Sequence, residues 1–284
     1  MGVAKLIESG ALRPLKGSVI DNTTDCSLPF VALNDPKFRL SVDTAQPVRL
    51  VVAATESMQG SVEIELAAHS SLSLVVWLAA DSYLSVSVKQ AEGSQCDSFV
   101  SVVSSSDATF NFDLNGVEAS NRFNAIFVAN GSDHAKIALT TRHNVSDCKS
   151  NSLIKGVAMD RATGEFRGLV YVAPDAQRTD AQQQNRNIEL DNSHIVALPQ
   201  LEIYADDVKC SHGATVGQLD EKALFYMRQR GISYKEARLL LMFAFVNEVI
   251  DTIRMDALKD RLHLLVEKRF RGELNKCQGC AICK

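Results

Sequence analysis

The sequence predicts a mainly β protein that closes with a small C-terminal helical domain, and three observations predict it. From about residue 41 to residue 217, apolar and polar residues alternate in short runs. Near Val216 that period of two gives way to apolar residues at helical spacing. Asn115-Gly116 and Asn130-Gly131-Ser132 supply turns between the runs. The runs cover residues 48–53, 61–66, 71–78, 83–88, 98–103, 108–114, 125–128 and 135–139, and taken together they are enriched in Ser, Thr, Val and Ile. A period of two with that composition is what half-buried strands show.

So many short strands, with almost no helical pattern between them, leave two architectures open: a sandwich and a parallel β-helix. Coils of about twenty to twenty-five residues would give a β-helix about seven turns in this stretch. The letters carry no strict repeat, so period alone does not choose. The polar run at residues 180–187, Asp-Ala-Gln-Gln-Gln-Asn-Arg-Asn, suits a stacked Gln and Asn ladder and equally a polar surface loop.

Helical signals follow. Asp220 can cap a helix running to Arg230, with Gly231 just past its end. Ser233 and Glu236 form a capping box that opens a long helix to about Ile253. Its residues Ala237, Leu240, Leu241, Ala244, Phe245 and Val249 fall three or four apart and are expected to form one buried face. A last helix can run from about Asp256 to Arg271, stopped by Gly272. Trp77 and the twelve Phe residues lie on apolar runs, as core residues do.

Composition limits the function. A chain of 284 residues has ample material for a buried core, and 46% hydrophobic with 23% charged residues is ordinary for a globular protein. A net charge of -4 gives no basic footprint, so proteins rather than nucleic acid are the expected partners. Residues 1–10 hold no long apolar run, and the most apolar stretch, 239–246, is far too short to span a bilayer, so neither a secretory leader nor membrane insertion is expected. Of seven cysteines, Cys26, Cys96, Cys148 and Cys210 sit far apart, which favours free thiols in a reducing cytoplasm.

Two groups of residues could carry chemistry. If the chain from Val208 to His212 is a strand, Cys210 and His212 share one face, about 6.6 Å apart along it. Thiolate and imidazole are both good iron ligands, and a nearby imidazole can help lower a thiol pKa. The alternative is that Cys210 is a small buried hydrophobe and His212 caps a turn before Gly213. The second group is Cys277, Cys280 and Cys283, three thiols spaced like part of an iron–sulfur run but without a fourth cysteine. A zinc site would also need a fourth ligand from elsewhere, and a terminal segment of this kind can be a tail without function. His69, His134, His143, His194 and His263 show no metal-ligand spacing. No G-x-x-x-x-G-K-[ST] loop and no G-x-S-x-G elbow occurs, so ATP hydrolysis would have to come from a partner.

Residues 201–217, Leu-Glu-Ile-Tyr-Ala-Asp-Asp-Val-Lys-Cys-Ser-His-Gly-Ala-Thr-Val-Gly, resemble the signature segment of the SufB/SufD family, and of its SufD branch in particular. Residues 219–232, 148–156, 176–182 and 185–187 are similar to the same family, and residues 29–34 resemble the segment that enters its β-helix. The resemblance implies a right-handed parallel β-helix followed by helices: residues 1–40 as a short lead-in, 41–217 as the β-helix and 218–284 as a helical domain with a cysteine-containing tail. It implies a non-enzymatic scaffold for iron–sulfur cluster assembly, paired with SufB and binding the ATPase SufC through its C-terminal helices. A transient cluster or iron would lie at the SufB interface against His212 and Cys210, with nothing firmly bound to the isolated chain, which would dimerise with itself. The Cys277, Cys280 and Cys283 tail is outside the family pattern. Family members carry a further helical region ahead of the β-helix, where this chain has only about forty residues. Two other readings compete: a β-helix enzyme of the lyase or acyltransferase type, and a self-sufficient cluster carrier using the tail cysteines.

Overall fold

The alternation along residues 41–217 resolves into strands that pair only in parallel, each with a strand one coil away on either side except at the ends of the two sheets. The computed structural model describes residues 12–14, 28–32, 37–44, 46–54, 57–253 and 256–273. One sheet is built from β1 (Leu12–Pro14), β2 (Leu28–Ala32), β4 (Val48–Ala54), β6 (Ser71–Leu78), β8 (Gln95–Val102), β10 (Ser120–Ala129), β12 (Lys149–Ala158), β14 (Thr179–Glu189) and β16 (Val208–Gly217), in that order. The other holds β3 (Lys37–Val42), β5 (Met58–Leu66), β7 (Ser82–Gln90), β9 (Ser106–Leu114), β11 (His134–His143), β13 (Thr163–Val172) and β15 (His194–Ile203). The chain therefore winds from one sheet to the other and back, and the architecture is the parallel β-helix rather than the sandwich. Strand pairing begins at β1 and β2, ahead of residue 41.

The coil length is not constant. Val48 pairs with Leu72, a coil of 24 residues, whereas Lys149 pairs with Asp180, a coil of 31. The C-terminal coils are longer than the twenty to twenty-five residues expected because strands and corners both lengthen: β12 and β13 have 10 residues each where β4 and β5 have 7 and 9. The corners repeat in conformation rather than in letters. His69, Gly93, Glu118, Asp147 and Arg178 hold left-handed backbone at one corner, and Gly131, Asp160 and Asp191 at the other. Asp and His are among the residues that tolerate this region best. Within the first column the Arg178 guanidinium donates to both Asp147 oxygens at 2.6 Å.

Alternate side chains of both sheets fill the coil. Leu72, Leu74, Val76 and Leu78 of β6 face Phe110 and Phe112 of β9, Phe123 and Phe127 of β10 and Phe166 of β13 in one buried cluster. The outward-facing residues of the nine-stranded sheet form a second apolar surface, with Val51, Val75, Trp77, Phe99, Ile126, Val128, Val157 and Ile188 on it. Three helices join that surface in one buried cluster, α1 (Glu221–Gln229), α2 (Tyr234–Ile250) and α3 (Asp256–Phe270), with α2 packed directly on β10 and β12 and α3 on β10. Asp220 caps α1 by accepting from the Lys222 and Ala223 amides, and Ser233 caps α2 by accepting from the Glu236 amide. Gly231 and Gly272 take the left-handed conformation that ends α1 and α3.

One expectation about α2 needs correction. Its buried stripe is Ala237, Leu239, Met242, Val246, Val249 and Ile250, while Leu240 and Ala244 are exposed. The helix is apolar on nearly every side, so spacing alone fits more than one face, and contact with the sheet selects this one. The polar run at 180–187 lies in β14 and is a strand, not a loop. It is not a ladder of like amides either, since Gln183 is flanked by Ser152 and His212.

Candidate functional site

The register between β14 and β16 fixes where the sequence-predicted site residues point. On β14 burial alternates, with Thr179, Ala181, Gln183, Asn185 and Asn187 facing the coil interior. Their partners on β16 are Val208, Cys210, His212, Ala214 and Val216, which continue the same inward columns. β16 ends its sheet, and among the described residues no strand pairs with its other edge. Side chains that an added coil would have buried are therefore open: Cys210 is half-buried, while His212 and Val216 are exposed. Cys210 and His212 thus lie on one face of one strand, and His212 sits in mid-strand rather than capping a turn.

The thiol does not follow the expected chemistry. Burial, helped by the charge of Asp180 and opposed by a backbone hydrogen bond from Ala181, pushes Cys210 above an ordinary thiol. An imidazole two residues away does not reverse that. The two donors also stand by themselves: among the described residues no group of three or more His, Cys, Asp or Glu side chains could hold a metal ion. A four-coordinate iron would take its remaining ligands from outside this face. Cys96 and Cys148 lie inside the coil, where burial raises their thiols to about 12 and about 11. Cys26, Cys277, Cys280 and Cys283 fall outside the described residues.

Other polar residues inside the coil were not singled out from sequence. His143 and Ser150, both buried, share a hydrogen bond of 2.9 Å, and burial lowers the imidazole to about 4. So weak a base is a poor partner for a nucleophilic serine. On β14, Asn187 donates to Asn185 Oδ1 at 2.7 Å and to the Thr215 carbonyl at 3.2 Å. The interior thus changes from Leu and Val at β6 to Thr, Gln and Asn at β14. The signal for this was the polar run itself, once every second residue of it is placed inward.

The helices expose large apolar side chains: Phe225 and Tyr226 on α1, and Tyr234 and Leu240 on α2. No helix among the described residues is long and apolar enough to cross a membrane.

Comparison with known proteins agrees with this geometry. The family model for the SufBD core domain of SUF system FeS cluster assembly matches residues 44–245. The iron–sulfur cluster assembly protein SufD of Escherichia coli is 36% identical over 160 residues, covering 56% of this chain and 38% of that protein. A SufBD family protein of Synechocystis is 42% identical over 137 residues, covering 48% and 29%, and one of Mycobacterium leprae 33% over 151 residues, covering 50% and 38%. The matched stretches thus span well under half the length of these relatives. Because the family model takes in β4 to β16, with the Cys210 to His212 strand, and most of α2, the chain belongs to the SufB/SufD family and is of the SufD type.

Proposed function

We propose that this chain is a non-enzymatic scaffold subunit of iron–sulfur cluster assembly. The observation that carries the reading is the placement of Cys210 and His212 on an exposed edge strand at the open end of the β-helix. A nascent cluster, or iron, is cargo there rather than a resident cofactor. His212 and Cys210 contribute two donors and a SufB-like subunit the remainder, so the isolated chain holds nothing firmly. The unpaired edge of β16 and the half-covered columns above β14 are surfaces that folded proteins seldom leave bare, which supports pairing with the SufB-like subunit and with a second copy when alone. The exposed Phe225, Tyr226, Tyr234 and Leu240 of α1 and α2 support docking of a SufC-like ATPase on the helices. In this division of labour residues 41–217 carry the cargo and residues 218–284 the ATPase contact. Cys96, Cys148 and Cys210 are free thiols, in keeping with a cytoplasmic setting.

Anaerobic co-purification with SufB and SufC tests this, with iron and sulfide measured on the complex. A complex that forms and accumulates both elements is the expected result. A chain that neither joins SufB nor SufC would overturn it, as would hydrolase or lyase activity of the chain alone.

A further inference from the structure

The inward column that ends at His212 runs Leu74, Ser98, Phe123, Ser152, Gln183, His212. Gln183 is 1% exposed, and neither Oε1 nor Nε2 of its amide has a hydrogen-bond partner. A buried amide satisfied at neither end is rare in folded proteins and asks for an explanation. The Gln183 amide reaches across the coil to β13, where a Cβ on Gly168 would stand 2.4 Å from Nε2 and 2.5 Å from Oε1. Glycine at 168 leaves room for the amide there, and a larger residue would make it shift.

Four residues bracket the amide one coil below and one coil above. Leu139 and Pro199 flank Gly168 on the seven-stranded sheet, and neither has a polar side-chain group. Ser152 lies below Gln183 and turns its hydroxyl to the Gln182 carbonyl at 3.4 Å. His212 lies above, its ring exposed at the open end with no hydrogen bond inside the described chain. Among these four, the imidazole is the group with capacity to spare.

We infer that Gln183 is the positioning residue of His212. A short inward swing brings the ring over the amide, and Oε1 accepts the N–H of one ring nitrogen. That fixes the tautomer and leaves the lone pair of the other nitrogen pointing away from the coil. A histidine that binds metal gives its second N–H to an acceptor of this kind, which orients the ring and raises its basicity. Gly168 serves the same end by keeping the amide's space open. The inference rests on the reading of His212 as the residue that meets iron.

The test is the tautomer of His212 in the purified chain with 15N-labelled histidine rings, at a fixed pH well above the imidazole range. The expected wild-type spectrum shows one dominant His212 tautomer. Gln183→Met, which keeps length and volume, should collapse it to the mixture of a free imidazole while the other five histidines keep their signals. Gln183→Glu retains the acceptor and should retain the single tautomer. Gly168→Ala displaces the amide without altering Gln183 and should act like Gln183→Met, so the effect is readable even if one variant fails to fold. In the SufB complex, Gln183→Met should weaken ferrous iron binding about 10–100-fold. A free-imidazole mixture in the wild type, or unchanged ring signals in both Gln183→Met and Gly168→Ala, overturns the inference. The ring spectra contain no iron, so they can fail while His212 keeps its assembly role, and the reverse also holds.

Discussion

Lys155, buried on the outer side of β12, forms an ion pair with Glu248 of α2 and so ties the helices to the sheet. Its ammonium also donates to the Phe245 carbonyl at 2.8 Å and lies 4.5 Å from the centre of the Phe245 ring. The lysine is 3% exposed, whereas the Glu248 side chain is 56% exposed. A charge buried on one side and paired from the wet side makes the two halves of the pair unequal.

Glu248→Gln should therefore lower stability by about 1–2 kcal/mol in denaturant melts. That is less than for a fully buried pair, because water reaches the carboxylate and can partly replace it. Lys155→Met keeps the stem packed and removes the charge that needs a partner, so it should be the milder change.

The same pair predicts a pH dependence. The hydrogen bond from Lys155, with its charge, holds the Glu248 carboxyl below its ordinary value of 4.5 against the opposing effect of desolvation. A depressed carboxyl contributes stability that is fully present above its unfolded pKa and is lost as pH falls through the folded one. The gap between wild type and Glu248→Gln should be constant above about pH 5 and close on further acidification. A gap that stays constant down to pH 3 or so would show that the carboxylate is not coupled to folding.

Phe127 occupies a slot between two strands that only glycines leave open. A Cβ on Gly156 would stand 1.9 Å from Phe127 Cζ, and one on Gly164 2.4 Å from Cε2. Gly156→Ala should destabilise by about 1–3 kcal/mol through overpacking. Phe127→Leu in the same chain should recover part of that loss, since residues in contact do not act additively. Calorimetric melts of the two single variants and the double variant decide it.

In the proposed complex with SufB and SufC, His212→Ala should leave fold and assembly intact, because the ring is exposed. Cluster iron and sulfide on the complex should fall by more than about tenfold, since Ala offers neither a ligand nor a proton acceptor. His212→Cys separates the roles, as a thiol restores a ligand but not imidazole acid–base behaviour. Normal cluster assembly in His212→Ala cells would sink the site assignment, and loss of the complex would make His212 structural.

The thiols should sort by burial. Native protein treated with iodoacetamide at pH 8 should carry the label on Cys210 before Cys96 or Cys148, as read by peptide mass spectrometry. With pKa values raised to about 12 and about 11, the latter two are almost wholly protonated and shielded. Early labelling of Cys148 would show that the coil opens at the β11–β12 corner.

The strands were legible because period two survives in the letters wherever one face is buried, and the helix ends because Asp220, Ser233, Gly231 and Gly272 act locally. The seven-coil repeat was hidden. Its periodic element is a left-handed corner residue, filled in turn by His69, Gly93, Glu118, Asp147 and Arg178, which share a conformation and not a side chain. The buried stripe of α2 was misplaced because an almost uniformly apolar helix leaves its face to be chosen by the surface it meets. Cys210 and His212 could be put on one strand face from spacing. That they face inward at an open end depends on register with β14, which no local pattern encodes.

The helices' second apolar surface runs over β4, β6, β8, β10, β12 and β14 but takes no residue from β16. A solenoid by itself behaves as a one-dimensional stack in which each layer leans only on its neighbours. That continuous surface, with α2 packed on β10 and β12 and α3 on β10, couples the layers it joins and leaves the last layer outside. Amide hydrogen exchange should therefore divide the chain in two: slow, uniform protection through Ile188, and faster local opening from β15 to β16. The layer that carries Cys210 and His212 is then the one free to rearrange around a partner without unravelling the rest.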